Sequence, residues 1–393
     1  MRIAYVTETY PPEVNGVALT VERTVRWLRE RGHPVSLIRP RQGNEPRPDG
    51  HTVLAPGARI PMYPALRFGL PIRSRLLRDW HGRRRELVHV ATEGPLGRAA
   101  VLAARALGIP VTSDFRTNFH RYGSHYGLGW AESVIQAYLR AFHNRTQLTF
   151  APTREVAGQL LRAGIVNVAE VGRGVDTMRF SPAARSAGLR KQWNVADRAP
   201  VVLNLGRLAP EKNLRLLPRA FAAIRERCPA ARLVFVGDGP LRAELQRATP
   251  DAIFTGVLTG AALSAAYASA DIFLFPSMTE TFGNVTLEAL ASGLLVVAYE
   301  TGAAATHVVH DISGFLVRPD SDSQFVVAAA TAALRFEGLA SMRRAARAAA
   351  QSAAWPDVLS RYEAHLERVV AGAAQTDHAL RAQSPAVPSC PAH

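Results

Sequence analysis

Glu280 and Glu288 bracket the segment Glu280-Thr281-Phe282-Gly283-Asn284-Val285-Thr286-Leu287-Glu288. A strand-like run, Ile272-Phe273-Leu274-Phe275-Pro276, leads into it. A helix-like run from Val285 to Ala291 leads out and stops at Ser292-Gly293. One carboxylate therefore precedes a glycine-bearing turn, and the other lies inside the helix. A helix N-terminus presents unpaired backbone N–H groups and partial positive charge, a setting for phosphate. Ionised carboxylates only accept hydrogen bonds, so a pair flanking that anion site suits hydroxyl-rich groups. Phosphate with sugar hydroxyls on either side describes a nucleotide-sugar.

Further polar residues follow other strand-like runs. Val201–Gly206 is followed by Arg207-Leu208-Ala209-Pro210-Glu211-Lys212-Asn213, and Lys212 is one of only two lysines. Two cations there could neutralise a leaving diphosphate as its charge develops; taken alone, a solvated loop explains them as well. Asn15-Gly16-Val17 follows the first strand-like run and precedes a helix-like stretch from Ala18 to Arg31, where glycine would let backbone approach a ligand. Ser113-Asp114-Phe115-Arg116-Thr117-Asn118-Phe119-His120-Arg121-Tyr122 crowds Asp, Arg, Asn and His into one loop, as a site or as a charged surface. Val236-Gly237-Asp238-Gly239-Pro240 has the residues of a strand-to-helix turn. Asp320-Ser321-Asp322 has the Asp-x-Asp spacing of some metal sites, but it precedes the helix-like Phe325–Leu334, so helix capping is expected instead. There is no Gly-x-Gly-x-x-Gly fingerprint, which argues against a dinucleotide oxidoreductase.

These residues need strands to carry them. In the first half the β-rich runs are Arg2–Glu8, Val35–Pro40, Thr52–Ala55, Leu87–Ala91, Val111–Asp114, Leu148–Pro152 and Val168–Val171. In the second half they are Val201–Gly206, Arg232–Gly237, Ile253–Gly256, Ile272–Pro276, Leu294–Tyr299 and Gly314–Val317. Near-continuous apolar strands alternating with helices imply parallel sheets covered on both faces, with ligands beyond the strand C-termini. At 393 residues two domains are expected. The boundaries expected are 1–180, 181–355, a final helix over 356–372 and an aperiodic, disordered tail over 373–393.

The chain has a net charge of +15, most of it in the first half. Arg67–Arg85 alone holds seven arginines and one Asp, interleaved with Phe68, Leu70, Ile72, Leu76, Leu77 and Trp80. Such a stretch can lie on an anionic membrane, or it can be the basic surface helix of an ordinary enzyme. The charge also fits nucleic acid, yet no nucleic-acid module is recognisable, so that partner is not expected. The two cysteines, Cys228 and Cys390, suggest neither a disulfide framework nor a metal site. With no signal peptide and no membrane-length apolar run, a cytoplasmic protein is expected, with attachment at the inner membrane face left open.

Taken together, residues 1–370 resemble the GT-B retaining glycosyltransferases of family 4, in particular the α-mannosyltransferase and sulfoquinovosyl-like branches. The resemblance is carried by Glu8-Thr9-Tyr10-Pro11-Pro12 with Asn15-Gly16-Val17, Gly94-Pro95-Leu96-Gly97, Thr117-Asn118-Phe119, Gly174-Val175-Asp176, Gly206-Arg207-Leu208 with Glu211-Lys212, Val236 to Pro240, and Glu280 to Glu288. It implies two doubly wound Rossmann-like α/β domains facing a central cleft, with a terminal helix crossing back to the first. It implies that Arg207 and Lys212 grip the donor diphosphate and that Glu280 binds the donor sugar. By the same resemblance the amides of Phe282, Gly283, Asn284 and Val285 meet sugar and phosphate, Glu288 holds the ribose, and Gly16 lies against the phosphates from the other domain. Relatives often have His where this chain has Arg116; arginine cannot serve as a base. Arg116 is therefore assigned as a sugar or phosphate contact, with His120 as the other candidate. The reaction implied moves a hexose from a nucleotide-sugar to an acceptor hydroxyl with retention and without metal. Mannose from GDP-mannose and a lipid-linked acceptor are the first expectation; a UDP-sugar donor and a nucleotide-sugar epimerase of the same fold are the alternatives.

Overall fold

Every β-rich run marked in the sequence forms a strand, and each of the two sets builds its own parallel sheet. The computed structural model describes residues 1–13, 16–42, 49–60, 63–116, 129–196, 199–278, 280 and 282–383. The chain divides into two units. The first comprises Met1–Pro152, Val156–Val171 and Leu359–His393; the second comprises Thr153–Glu155 and Gly172–Val358.

The first unit contains β1 (Ile3–Val6), β2 (Val35–Pro40), β3 (Thr52–Ala55), β4 (Gly57–Ile60), β5 (Tyr63–Gly69), β6 (Leu87–Val90), β7 (Val111–Asp114), β8 (Leu148–Ala151) and β9 (Val168–Glu170). Seven of them form a sheet in the order β3-β2-β1-β6-β7-β8-β9, parallel throughout. β1 is buried at every position, as a central strand covered on both faces must be. β4 and β5 form an antiparallel hairpin that the sequence pattern did not mark. The helix Gly16–Glu30 buries Ala18, Val21, Val25 and Leu28, the three-to-four spacing of a single apolar stripe.

The helix Arg73–Gly82 buries Leu76 and Trp80 in the core of this unit. Ile72 and Leu77 pack on the same core, whereas Leu70, just ahead of the helix, is 40% exposed. The stretch also exposes positive charge, at Arg73, Arg75, Arg78, Arg83 and Arg84.

The last helix runs from Trp355 to Gln383. It thus continues well into the stretch expected to be an aperiodic tail; residues 384–393 lie outside the described residues. Tyr362 and Leu366 pack with Ile3, Tyr5 and Phe150 of the first sheet. Glu363, on the same helix, accepts hydrogen bonds from Trp27 Nε1 (3.2 Å) and Arg31 Nε (3.3 Å) and lies 2.8 Å from His33 Nε2. Apolar packing and a buried, multiply bonded carboxylate together seat this helix on the first unit.

The second unit contains β10 (Val201–Leu205), β11 (Arg232–Val236), β12 (Ile253–Phe254), β13 (Ile272–Phe275), β14 (Leu295–Tyr299) and β15 (Gly314–Val317). Their order is β12-β11-β10-β13-β14-β15, again all parallel. Asp271, immediately before β13, is only 1% exposed. Its carboxylate accepts from Arg185 Nη2 (2.9 Å), Arg190 Nη1 (3.0 Å), Arg343 Nη1 (2.8 Å) and the Val201 N–H (3.0 Å). One buried anion thereby ties the starts of β10 and β13 to helices Ala187–Gln192 and Leu339–Gln351.

Removing one partner of a buried ion network strands the rest. Asp271→Ala is expected to destabilise the protein by about 3–5 kcal/mol in urea unfolding, because the loss leaves three arginines uncompensated. Asp251 pairs with Arg225 on the surface (3.1 Å). Asp251→Ala is expected to change stability by less than about 1 kcal/mol. Equal effects of the two substitutions would contradict this ranking.

Candidate functional site

The second unit brings Lys212 and Glu280 together. Lys212 lies in a short 3₁₀ turn beyond β10, and Glu280 lies beyond the C-terminal end of β13. β10 and β13 are hydrogen-bonded neighbours, so residues far apart in the chain meet at one sheet edge. Lys212 Nζ contacts Glu280 Oε1, which also accepts a hydrogen bond from Ser277 Oγ at 2.8 Å. The ammonium also lies 5.8 Å from the centroid of the Phe275 ring. Their side chains are 24% and 13% exposed, so the charges are partly desolvated yet reachable. A three-donor ammonium beside an acceptor-only carboxylate matches a phosphate oxygen beside a sugar hydroxyl. Arg207 is far more exposed, 3.8 Å from Glu211.

The loop carrying Arg207 has little freedom. Gly206 N–H donates to the Val236 carbonyl, Leu208 N–H to Asp238, and Leu241 N–H back to Leu208. Gly237 (φ +132°) lies so close that a Cβ there would meet the Gly206 carbonyl oxygen at 1.9 Å. The Val236 to Pro240 turn is therefore structural, as its composition indicated, and what it supports is the 206–209 loop.

Beyond Glu280, Phe282 is buried and its carbonyl accepts from Ala303 N–H at 2.5 Å. A Cβ at Gly302 would sit 2.5 Å from that same oxygen, so glycine is required there. Gly283 (φ +87°) turns the chain into the helix Asn284–Ala291. The first turn of this helix carries no acidic residue, so its positive end is not offset by a carboxylate of its own. The amide oxygen of Asn284, its first residue, is buried without a hydrogen-bond partner among the described residues. At the other end the Arg347 guanidinium donates to the carbonyls of Ala291 (2.6 Å), Phe180 (2.6 Å) and Thr177 (2.7 Å). A cation at the C-terminus and an open N-terminus suit an anion at the start of the helix.

Glu288 sits one helical turn further in, and its Oε2 accepts a hydrogen bond from Tyr267 Oη at 2.9 Å. Burial lifts its carboxyl to about 7, against the opposing pull of the Tyr267 hydrogen bond and the Arg179 charge. Glu280 and Glu288 thus differ in setting: the first is paired with a cation, the second is held by a neutral phenol.

Residues 14–179 match the family described as Glycosyltransferase Family 4, and residues 199–335 match Glycosyl transferases group 1. A GDP-mannose-dependent alpha-mannosyltransferase of Mycolicibacterium smegmatis is 37% identical, over 94% of this chain and 98% of its own length. A sulfoquinovosyl transferase of Arabidopsis thaliana is 31% identical, over 81% of this chain and 64% of that protein. The solved structure of Anabaena HepE in complex with UDP superposes with a TM-score of 0.74 at 19% identity, over 94% of this chain and all of that one. The chain belongs to glycosyltransferase family 4. The fold shared with HepE is GT-B, two Rossmann-like α/β domains, as the sequence motifs implied.

In this family 4 glycosyltransferase the first unit places its candidate residues as follows. Gly16 is exposed and opens the helix Gly16–Glu30. Arg116 follows β7 and is bound to Asp114, with its Nε and Nη2 at 2.9 and 2.5 Å from Asp114 Oδ2. His89 Nε2 is 3.3 Å from the same oxygen. Burial raises the Asp114 carboxyl, but the Arg116 charge and His89 outweigh it and hold the group at about 2. The pairing drives Arg116 higher still, so this guanidinium is a fixed cation with its charge already answered. His120, like Thr117 to Tyr122 around it, lies outside the described residues.

The sequence reading passed over Tyr267 and Ser277, which bond to Glu288 and Glu280 respectively. A tyrosine in the Ala- and Ser-rich run 260–269 carries no local mark of function. Glu8 was noted only as part of a motif. Its carboxylate accepts from the Gly69 and Leu96 N–H groups, and so serves as a cap for helix Pro95–Ala106. Asp320-Ser321-Asp322 departs from expectation in detail. Ser321 occupies the N-cap position but makes no side-chain cap bond, while Asp322 Oδ1 accepts from Tyr299 Oη at 2.6 Å. Among the described residues one group has metal-ligand spacing, His33, Glu363 and Glu367. The Met1 ammonium lies 2.9 Å from His33 Nδ1, and Arg31 bonds Glu363, so cations already occupy its surroundings.

The raised Glu288 group has a signed consequence for stability. The unfolded chain releases this proton near 4.5, whereas the folded chain keeps it to about 7. Stability from this residue is therefore full below the lower value and lost as pH rises through the upper one. Glu288→Gln removes the titration. Compared with wild type, the variant is expected to gain stability between pH 5 and pH 8, by on the order of 3 kcal/mol at most, in thermal unfolding followed across that range. A pH-independent difference would show that Glu288 titrates near its ordinary value.

Proposed function

We propose that this chain transfers mannose from GDP-mannose to an acceptor hydroxyl with retention, giving an α-linked product. The observation that carries the reading is the Lys212–Glu280 contact beside the open N-terminus of helix Asn284–Ala291. The GDP-mannose-dependent alpha-mannosyltransferase at 37% identity supports the choice of base and sugar. Lys212, joined by Arg207, takes the diphosphate. The backbone N–H groups at the helix start take the phosphate and sugar oxygens, Glu280 accepts from a sugar hydroxyl, and Glu288 accepts from the ribose.

In the transfer the bond from the anomeric carbon to the diphosphate oxygen breaks as the bond to the acceptor oxygen forms. The acceptor proton passes to the leaving diphosphate. Negative charge grows on that diphosphate, so fixed cations and helix N–H groups stabilise the transition state more than the ground state. They supply this charge without a divalent metal. The acceptor is a lipid or glycolipid, in keeping with the exposed Arg73, Arg78, Arg83 and Arg84. Attachment of the cytoplasmic protein to an anionic inner membrane face is then electrostatic, and it weakens as salt rises. No helix among the described residues is long and apolar enough to cross a membrane.

Lys212→Ala and Glu280→Ala are each expected to lower kcat for mannosyl transfer by about 10²–10³-fold, the range for losing one charge-stabilising group. The wild-type rate is expected to survive EDTA, and the product to show an α anomeric carbon by NMR. Near-full activity in both variants would overturn the site. Turnover of UDP-sugars in preference to GDP-mannose would overturn the donor. Conversion of the nucleotide-sugar without any acceptor would replace transfer with epimerisation.

A further inference from the structure

Tyr267 and Glu288 stand on different helices, Gly260–Ser269 and Asn284–Ala291, and meet through one hydrogen bond. The tyrosine is completely buried. Its ring is edge-on to Phe180 at 5.5 Å and lies 6.1 Å from Phe273, so its hydroxyl has a fixed position. That hydroxyl is 2.9 Å from Glu288 Oε2 and 3.4 Å from the Val285 carbonyl oxygen. A carboxylate is planar, so holding one oxygen limits the directions in which the other can accept. We propose that Tyr267 is a positioning residue for the donor nucleotide: its hydroxyl fixes the Glu288 carboxylate so that the second oxygen meets the ribose hydroxyls. This rests on the reading of Glu288 as the ribose-binding group.

The same bond stabilises the ionised carboxylate, which is the form that accepts from hydroxyls. Few other charges act on Glu288. Helix Asn284–Ala291 has no second ionisable residue. Arg179 lies near enough to favour the carboxylate, and its guanidinium is held over the Phe180 ring at 5.0 Å. On the packed helix Leu339–Gln351, Arg343 is bonded to Asp271, Arg347 to backbone carbonyls, and Arg344 is exposed. His307 packs against Phe282, and Tyr299 is bonded to Asp322. Tyr267 is therefore the direct donor that fixes the direction of Glu288 and favours its ionised form against the effect of burial.

The test compares GDP with 2′,3′-dideoxy-GDP by calorimetry, and UDP with its dideoxy form in parallel, from pH 6 to pH 9. The ratio of the two affinities does not depend on the fraction of protein folded. Wild type is expected to prefer the ribose form by about tenfold once Glu288 is ionised, as for a hydrogen bond to a charged group. Tyr267→Phe is expected to reduce the preference to about threefold at pH 7 and to move its midpoint to higher pH. Site-specific 3-fluorotyrosine at 267, a stronger donor of nearly the same shape, is expected to move the midpoint down. Glu288→Gln is expected to erase both the preference and its pH dependence. If Glu288→Gln keeps the wild-type preference, the ribose reading fails. If it loses the preference while both changes at Tyr267 leave ratio and midpoint unmoved, the positioning role is overturned.

Discussion

The contact between Lys212 and Glu280 is the constraint on which the proposed donor site depends. A cation and an anion, each mostly removed from water, are held where two neighbouring parallel strands end. Such a pair persists only if the backbone fixes both partners, because two flexible side chains would otherwise favour water. The second unit does this with buried features. Asp271 anchors the starts of β10 and β13. Close packing of Gly237 on Gly206 sets the loop that follows β10. The Phe282 carbonyl, bonded to Ala303, sets the turn that follows Glu280. Arg347 closes the far end of the helix that begins there.

Charge is arranged differently in the two units. In the second, Lys212, Arg207 and an uncapped helix start gather positive potential at the strand ends. In the first, the largely buried Arg116 is matched by Asp114, and its net contribution to a ligand field is small. The position of Arg116 thus holds an ion pair that does not titrate near neutrality. The basic helix Arg73–Gly82 adds a third pattern, with apolar residues inside and arginines outside. Its apolar side belongs to the core of its own unit.

The parallel sheets were legible in the sequence because their strands are short, apolar and separated by helices at regular distances. The Glu280 to Glu288 segment was legible because strand, glycine turn and helix start follow one another without interruption. What escaped was long-range or locally unmarked. The hairpin Gly57–Gly69 pairs two segments without a clean alternation. Tyr267 earns its place only through a residue on another helix. Trp80 stands in a basic stretch whose sequence left membrane contact and an ordinary surface helix equally open, and only the fold shows it buried in the core. The final helix outran its apolar period, because the Ala- and Gln-containing residues after Val370 have good helix propensity even without a face to bury.

The central claim, that the donor is bound by the 206–212 loop and the start of helix Asn284–Ala291, is tested most directly by hydrogen–deuterium exchange with and without GDP-mannose. The amides of residues 206–212 and 282–288 are expected to become the most strongly protected in the second unit. Binding shown by calorimetry, with unchanged exchange in both segments, would contradict the account.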